Sequence, residues 1–384
     1  MSDYRKIKYY KPRVNRGRNG VKRGAGKRKP LKTALIIVLS VLGAIVLFAV
    51  GFIGWLTITE YKPAEKEEVQ VVYNAASEPL SSELSILTWN VGYCGLGKNE
   101  DFVLDGGKTD GRPDNLDTFL YYFNGVIDTL KANRADVMIL QEVDRYSKRS
   151  YKHDEVASLT IALDAASTAS CYNYKCDYVP FPWPPIGHVE GGLATYSKAK
   201  TAEDKATRLA LPNAFSWPMS VAQLKRCVLV THYDIEGTDK KLSVINFHLE
   251  AYDSGEGKIK QAKRLVEIMS EEYAKGNYVI AGGDFNQSFP GTLDVFPIKD
   301  TSTWTPAVFD ITSLPEGWQL AYDKDHATCR LLNMPYDPSN AATQFFVIDG
   351  FLVSPGVEIE TVEAVDAGFE YSDHNPVRLT VKLQ

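Results

Sequence analysis

Cysteine is scarce in this 384-residue chain, and histidine hardly commoner: five and six residues respectively. None of Cys94, Cys171, Cys176, Cys227 and Cys329 belongs to paired C-x2-C spacings, and there is no His-x3-His, which argues against zinc. Cys171 and Cys176 lie close enough in sequence for a disulfide outside the cell, with free buried thiols the equal alternative. The odd count leaves one thiol unpaired within the chain. No internal repeat with a period of about 20–50 residues is present. Acid is nearly missing from residues 1–32, where 13 Lys and Arg face Asp3 alone. Charge of either sign is missing from the next 27 residues, 33–59.

What is there follows from those gaps. A total charge of −5 divides into +12 on residues 1–32 and −17 on the rest. The length excludes a small stapled scaffold, and 44% apolar residues exclude a disordered chain. The uncharged run exceeds the roughly 20 residues that cross a bilayer as a helix. Trp55 and Tyr61 stand where interfacial aromatics belong. A buried core helix is seldom so long or uniform. A cleavable signal has a shorter apolar region, ending at a small-x-small site, whereas this run ends in Trp-Leu-Thr-Ile. An uncleaved, single-pass signal anchor is therefore expected over residues 33–59 of the cytoplasmic membrane. By the positive-inside rule, residues 1–32 form a basic cytoplasmic tail and the acidic body faces outside. The tail's cations fix topology in the simplest reading; binding to anionic lipid or nucleic acid is the rival. Residues 60–82 read as a polar stalk, and 83–384 as the folded body.

Within the body, apolar runs predict strands at 84–89, 137–140, 193–196, 227–231, 242–247, 278–281, 345–348 with 351–353, and 377–383. Helical spacing joins Leu116, Phe119, Phe123, Val126, Ile127 and Leu130, and also Ile259, Ala262, Leu265, Val266, Met269 and Tyr273. Strands joined by both helices and hairpins, such as 227–247 turning at Glu236-Gly237, imply an α/β domain with mixed sheets.

Several of these runs end in an acid, amide or histidine: Asn90, Gln141-Glu142, His248, Asp284 with Asn286, Asp349, and Asp373-His374. Singly, each is an ordinary turn residue. Together, on strands converging at one edge, they would share a cleft. Glu142, Asp373 and Asn90 are hard oxygen donors suited to Mg2+ or Mn2+. A histidine beside Asp349 is a candidate base for activating water, and His248 could stabilise a phosphoryl oxygen. That set describes metal-assisted phosphoester hydrolysis.

The motifs LTWNVGY, ILQEVD, the His248 strand, GGDFN, VIDGFLVS and SDHNPV, in this order, resemble those of the endonuclease/exonuclease/phosphatase superfamily. The likeness spans residues 84–384. It implies a four-layer sandwich of two mixed β-sheets flanked by helices. It also implies Glu142 as the principal metal carboxylate, with Asn90 and Asp373 near metal and phosphate. His374 would activate water, oriented by Asp349; His248 would contact the scissile phosphate; Asp284 would assist the leaving group; Asn286 would position phosphate oxygens.

Two segments stand apart from those motifs. Residues 178–192 are rich in proline and aromatics, fitting a substrate rim, a surface resting on a membrane, or a packed loop. Residues 92–111 follow Asn90 and would shape the entrance, with Lys108 and Arg112 as candidate phosphate contacts. A basic cluster, Arg145, Lys148, Arg149 and Lys152, follows Glu142, and Arg149 is a further candidate for substrate. An excess of 17 acids counts against a stable nucleic-acid partner. The expectation is a membrane-anchored phosphoesterase whose partners are the lipid bilayer and a lipid or nucleotide phosphoester. An extracellular nuclease and a catalytically inactive binding module are the alternatives.

Overall fold

The computed structural model describes residues 29–73, 78–253 and 255–384. The basic tail up to residue 28 lies outside them. The described residues form two compact units, one ending at Ile53 and a body from Gly54 to Gln384. Helix α1 (Lys29–Ile58) contains all of the uncharged run except its last residue, Thr59. An 18-residue window within Leu31–Ile58 reaches a mean hydropathy of 3.0, and the helix is long and apolar enough to cross a membrane.

Two seven-stranded mixed sheets build the body. One sheet uses β3 (Glu83–Asn90), β4 (Val137–Asp144), β5 (Ser167–Val179) and β6 (Gly187–Ser197), extended by strands Val357–Ala364 and Val377–Leu383. The other uses β7 (Lys205–Ala210), β8 (Cys227–Asp234), β9 (Lys241–His248) and β10 (Tyr278–Asp284), extended by Asp349–Val353 and Gln319–Ala321. β3 runs parallel to β4, and β9 to β10; the other pairings are antiparallel. Two further strands, β1 (Lys66–Gln70) and β2 (Val72–Tyr73), finish one edge of each sheet. The expected stalk is thereby corrected: its alternating Val69, Val71 and Tyr73 pack on apolar side chains of the body rather than facing water.

Ile86, Val137, Ile139, Val244, Ile280, Phe351 and Leu379 meet between the sheets as the central apolar layer. The outer faces are covered by helices. α2 (Leu116–Ala132) starts where the Asn115 side chain accepts the Thr118 N–H, and buries Phe119, Phe123, Val126 and Leu130. α3 (Glu155–Ala162), absent from the sequence expectation, packs Val156 and Leu159 into the same layer. α4 (Glu256–Ala274) buries Leu265, Ile268 and Met269 on the other side, leaving Ile259 exposed. These are four layers: helices, sheet, sheet, helices.

The proposed cysteine bridge meets a geometric obstacle. Cys171 and Cys176 both lie on β5, five residues apart. Extended strand separates them by roughly 17 Å, far beyond the ~7 Å limit for a disulfide. All five cysteines are free and buried. Cys171 instead faces Cys227, with the sulfurs 3.7 Å apart.

Candidate active site

Pairing register, more than any single loop, gathers the polar strand ends. Asn90 and Gln141 are partners at the ends of β3 and β4. Across the sandwich Asp284 pairs with His248 on one side and Asp349 on the other. Asp373 and His374 arrive just before strand Val377–Leu383, which runs antiparallel to β3. All these ends therefore lie at one edge of the sandwich. Behind them the sheets are pinned by a buried polar link. Gln141 Nε2 donates to Asn246 Oδ1 at 2.8 Å, and Asn246 Nδ2 donates to the carbonyls of Leu140 and Ala194, both at 3.0 Å.

Glu142 sits at an irregularity of β4 between Leu140 and Val143, with a left-handed φ of 53°. A bulge of this kind re-aims a side chain. Asn90 Nδ2 donates to Glu142 Oε1 and to Asp284 Oδ2, each at 3.1 Å, and so joins carboxylates from the two sheets. Its oxygen accepts the Gly92 N–H at 3.0 Å, so the amide ties the carboxylates together rather than offering them an oxygen.

The two histidines differ in character. His374 Nδ1 is 2.8 Å from Asp349 Oδ2, which turns Nε2 toward Asp284 Oδ2 at 3.7 Å and Asp373 Oδ2 at 4.0 Å. Burial pulls the His374 pKa down, but the charges around it, Asp349 first, outweigh burial and hold it well above the ordinary value. His248 places Nε2 3.4 Å from Asp284 Oδ2 and Nδ1 4.0 Å from Glu142 Oε1. Burial, with Arg226 and His374 nearby, holds its pKa well below the ordinary value. One imidazole is thus biased toward the cation and the other toward neutrality. Asp284 is pushed up to about 7, by burial first and by Asp349 as the repelling charge. It therefore exchanges a proton in the neutral range.

The donor set suits a hard divalent cation. Asp373 is pushed up to about 6 by burial, with Glu142 and Asp105 adding repulsion. Carboxylates crowded in this way are what a bound cation relieves. Glycine is favoured at position 92 beside them: its φ is +52°, and a Cβ there would lie 3.0 Å from Asp373 Oδ1. A second group, Asp284, Asp349 and His374, has donor atoms within 4.8 Å of one another. Asp349 is already committed to the His374 ring there, so this trio reads more naturally as a proton-handling set.

Seven of the sequence-derived site residues, Asn90, Glu142, His248, Asp284, Asp349, Asp373 and His374, are therefore brought together at one edge of the sandwich. Asn286 adjoins it, giving its backbone N–H to Asp284 Oδ1 at 2.8 Å and its Nδ2 to the Leu249 carbonyl at 2.9 Å. Arg149 is corrected as a substrate contact. It is buried, bound to both oxygens of Asp144 at 2.9 Å, with its guanidinium 3.6 Å from the Tyr93 ring centroid. Its fork and its face are both occupied by protein. Lys108 is exposed, and it is its backbone N–H that is anchored, to Asp101.

Sequence reading missed Asp105 and Tyr252. The Tyr252 hydroxyl donates to Asp105 Oδ1 at 2.8 Å. Burial lifts Asp105 to about 6, with His374 and Glu142 among the charges it feels. Ser372 was also missed: its hydroxyl donates to the Asn90 carbonyl at 2.8 Å and fixes the approach of Asp373 and His374. Asp105 stands within the loop expected to shape the entrance, but no spacing distinguished it from the loop's other acids.

A profile of the Endonuclease/Exonuclease/phosphatase family matches residues 87–374. The chain belongs to this family. Among solved structures, one similar chain is the endonuclease/exonuclease/phosphatase from Beutenbergia cavernae DSM 12333, with a TM-score of 0.56 and 16% identity, over 78% of this chain and 72% of that one. Another is the endonuclease/exonuclease/phosphatase from Bacteroides vulgatus, with a TM-score of 0.50 and 17% identity, over 79% and 99%. The human Nocturnin catalytic domain aligns with a TM-score of 0.48 and 14% identity, over 82% and 98%. At such identities the likeness is one of fold. No curated protein matches the sequence. Members of this family are usually hydrolases acting on phosphoester bonds, and they generally use divalent metals.

Proposed function

We propose that this protein is a membrane-anchored, divalent-metal-dependent phosphoesterase, working outside the cytoplasmic membrane with Mg2+, or Mn2+, as its ion. The observation that carries the reading is the His374–Asp349 pair at 2.8 Å, facing Asp284, His248 and the Glu142–Asp373 carboxylates in one cleft. Asp349 holds the ring so that Nε2 points at the cleft, where it takes the proton of the attacking water. His248, kept neutral, donates to a phosphoryl oxygen as charge grows there. Asp284, with its proton near neutral pH, gives that proton to the leaving oxygen. Glu142 and Asp373 would hold the metal, with Asn90 bracing Glu142. When bound, the cation supplies a Lewis acid for the phosphate and offsets the negative charge that otherwise keeps protons on Asp373 and His374.

Anchoring rests on the length and composition of α1, and the orientation on the +12 tail. The −17 body disfavours a polynucleotide substrate relative to a lipid or small phosphoester. The deciding experiment offers the full chain sphingomyelin, phosphoinositides, single- and double-stranded DNA, and a generic phosphodiester, each with Mg2+ and with EDTA. Hydrolysis that survives His374→Ala or Glu142→Ala refutes the mechanism. Preference for DNA supports the nuclease alternative, and inactivity on the whole panel supports a binding module. Protease added to intact cells should remove the body; full protection reverses the orientation.

A further inference from the structure

The body carries an unusual apolar projection. Across the turn from β5 to β6, residues 178–187 contain no charge, four prolines and the aromatics Tyr178, Phe181 and Trp183. Trp183 is 86% exposed and Phe181 58%. A second loop presents Trp217 and Met219, 63% and 62% exposed. Scattered single apolar residues on a surface are ordinary; bare tryptophans on two loops need a cover.

Where these loops lie is decided by the end of α1. The Trp217 indole N–H donates to Thr57 Oγ1 at 3.1 Å, in the helix's last turn. Lys225 reaches Glu60 at 2.6 Å with its ammonium, while its backbone N–H donates to the Asn173 carbonyl of β5 at 2.6 Å. One residue on, the Tyr61 ring meets Tyr172 of β5 edge-on. Followed backward from Tyr61 to Thr57, the chain therefore runs beside β5 in the direction of its hairpin tip. If α1 spans the bilayer, its uncharged run ends at Thr59, so the membrane surface passes this point.

The same hairpin flanks the cleft. β6 leaves the tip and pairs at once with the end of β4, Gly191 opposite Asp144 and Gly192 opposite Val143. The Lys148 N–H donates to the His188 carbonyl at 2.9 Å, and Arg145 N–H to that of Glu190 at 2.6 Å. Glu142 is thus a few residues from a strand that leads directly to Trp183.

We propose that residues 181–183, with Trp217 and Met219, form a bilayer-docking surface that seats in the leaflet where α1 ends and holds the catalytic cleft at the headgroup level. This rests on the anchored reading of α1 and narrows the substrate to phosphoesters presented at a lipid surface. An acidic body is repelled by anionic headgroups, so uncharged aromatics, whose rings favour the interface, are the suitable contact. The prolines limit the entropy lost when the tip is held in place.

The test uses the full chain in phosphatidylcholine vesicles, carrying an environment-sensitive fluorophore on Trp183→Cys, Trp217→Cys or, as control, Ile161→Cys. Ile161 is 79% exposed on α3, which leads into the opposite end of β5. The native cysteines are buried and spared by labelling under native conditions. Labels at 183 and 217 should be quenched by doxyl-lipids and shielded from aqueous iodide, with the reverse at 161. Equal iodide quenching at all three positions overturns the proposal. Shielding at 183 without doxyl-lipid quenching means that a second copy covers the tip, and also overturns it. Failure to float with vesicles after an alkaline wash removes the anchor, and the docking with it. In activity, Phe181→Ser with Trp183→Ser should lose hydrolysis of a vesicle-borne phosphoester while retaining that of a water-soluble diester. Equal loss on both substrates counts against docking.

Discussion

Replacing Asp349 by asparagine tests the catalytic reading at its narrowest point. The carboxylate is fully buried and holds His374 Nδ1 at 2.8 Å through Oδ2, while its Oδ1 has no hydrogen-bond partner. An asparagine has two ways to sit there. With its nitrogen at the Oδ1 position, a buried donor is left unsatisfied, which costs about 1–3 kcal/mol. With its nitrogen toward His374, it donates to Nδ1 and drives the ring proton onto Nε2, so the ring cannot accept one from water. In either pose the charge that steadies an imidazolium is gone. A unit charge pair at 4 Å is worth about 4 kcal/mol at an effective dielectric of 20, and each 1.4 kcal/mol is about tenfold in rate. A fall in kcat of between about 10² and 10⁴ is expected, comparable to the loss in a serine-protease triad on the same exchange. The sign of the pH effect follows separately. Asp349 is the largest influence raising the His374 pKa. Its removal lowers that pKa, so the acid limb of the rate profile moves to lower pH while the plateau falls. The assay is hydrolysis of bis(p-nitrophenyl) phosphate across about pH 5–9, with a thermal melt to show that the variant is folded. A folded variant with near wild-type rate and an unmoved acid limb refutes the orienting role.

Other outcomes follow from the same structure. EDTA should abolish hydrolysis and Mg2+ or Mn2+ restore it, whereas activity indifferent to EDTA refutes the metal. Asn246→Leu breaks three cross-sheet hydrogen bonds and should cost about 2–4 kcal/mol, read as a lower melting temperature. Glu272 is lowered to about 2 because its bonds to His232 and Lys275 outweigh burial. Its stabilisation is therefore complete above its ordinary value near 4.5 and is lost as pH falls toward 2; Glu272→Gln should cost roughly 1–2 kcal/mol at pH 7 after solvent screening and converge with wild type in acid. In an oxidising compartment any intramolecular disulfide should join Cys171 to Cys227, not to Cys176, as peptide mapping under non-reducing conditions would show.

Much of the architecture was legible in the residues. Strands at 278–281 and 242–247 announced themselves because strands buried on both faces read as apolar runs. Their ends were readable too, since a polar residue such as His248 or Asp284 interrupts a run abruptly. Other elements were silent. β5 carries Tyr, Asn, Lys and Asp among its apolar residues, and α3 is only eight residues long, so neither shows a sustained period. The same limits applied within the cleft. Arg149 belonged by sequence to an exposed basic cluster; folding buried it on Asp144 and Tyr93. Asp105 and Tyr252 lie 147 residues apart and meet only through the fold.

The sequence by itself determined the division of charge, the uncharged span and the inventory of acids and histidines available for chemistry. Each depends on composition along the chain, which folding does not alter. Tertiary structure decided which of those groups meet, which are consumed in holding one another, and that residues 66–73 serve as sheet edges rather than a stalk. It also decided that the β5–β6 hairpin pairs with the end of β4 and that Trp217 meets Thr57. Those outcomes depend on strand register and sheet stacking, where a shift of one residue exchanges inside for outside.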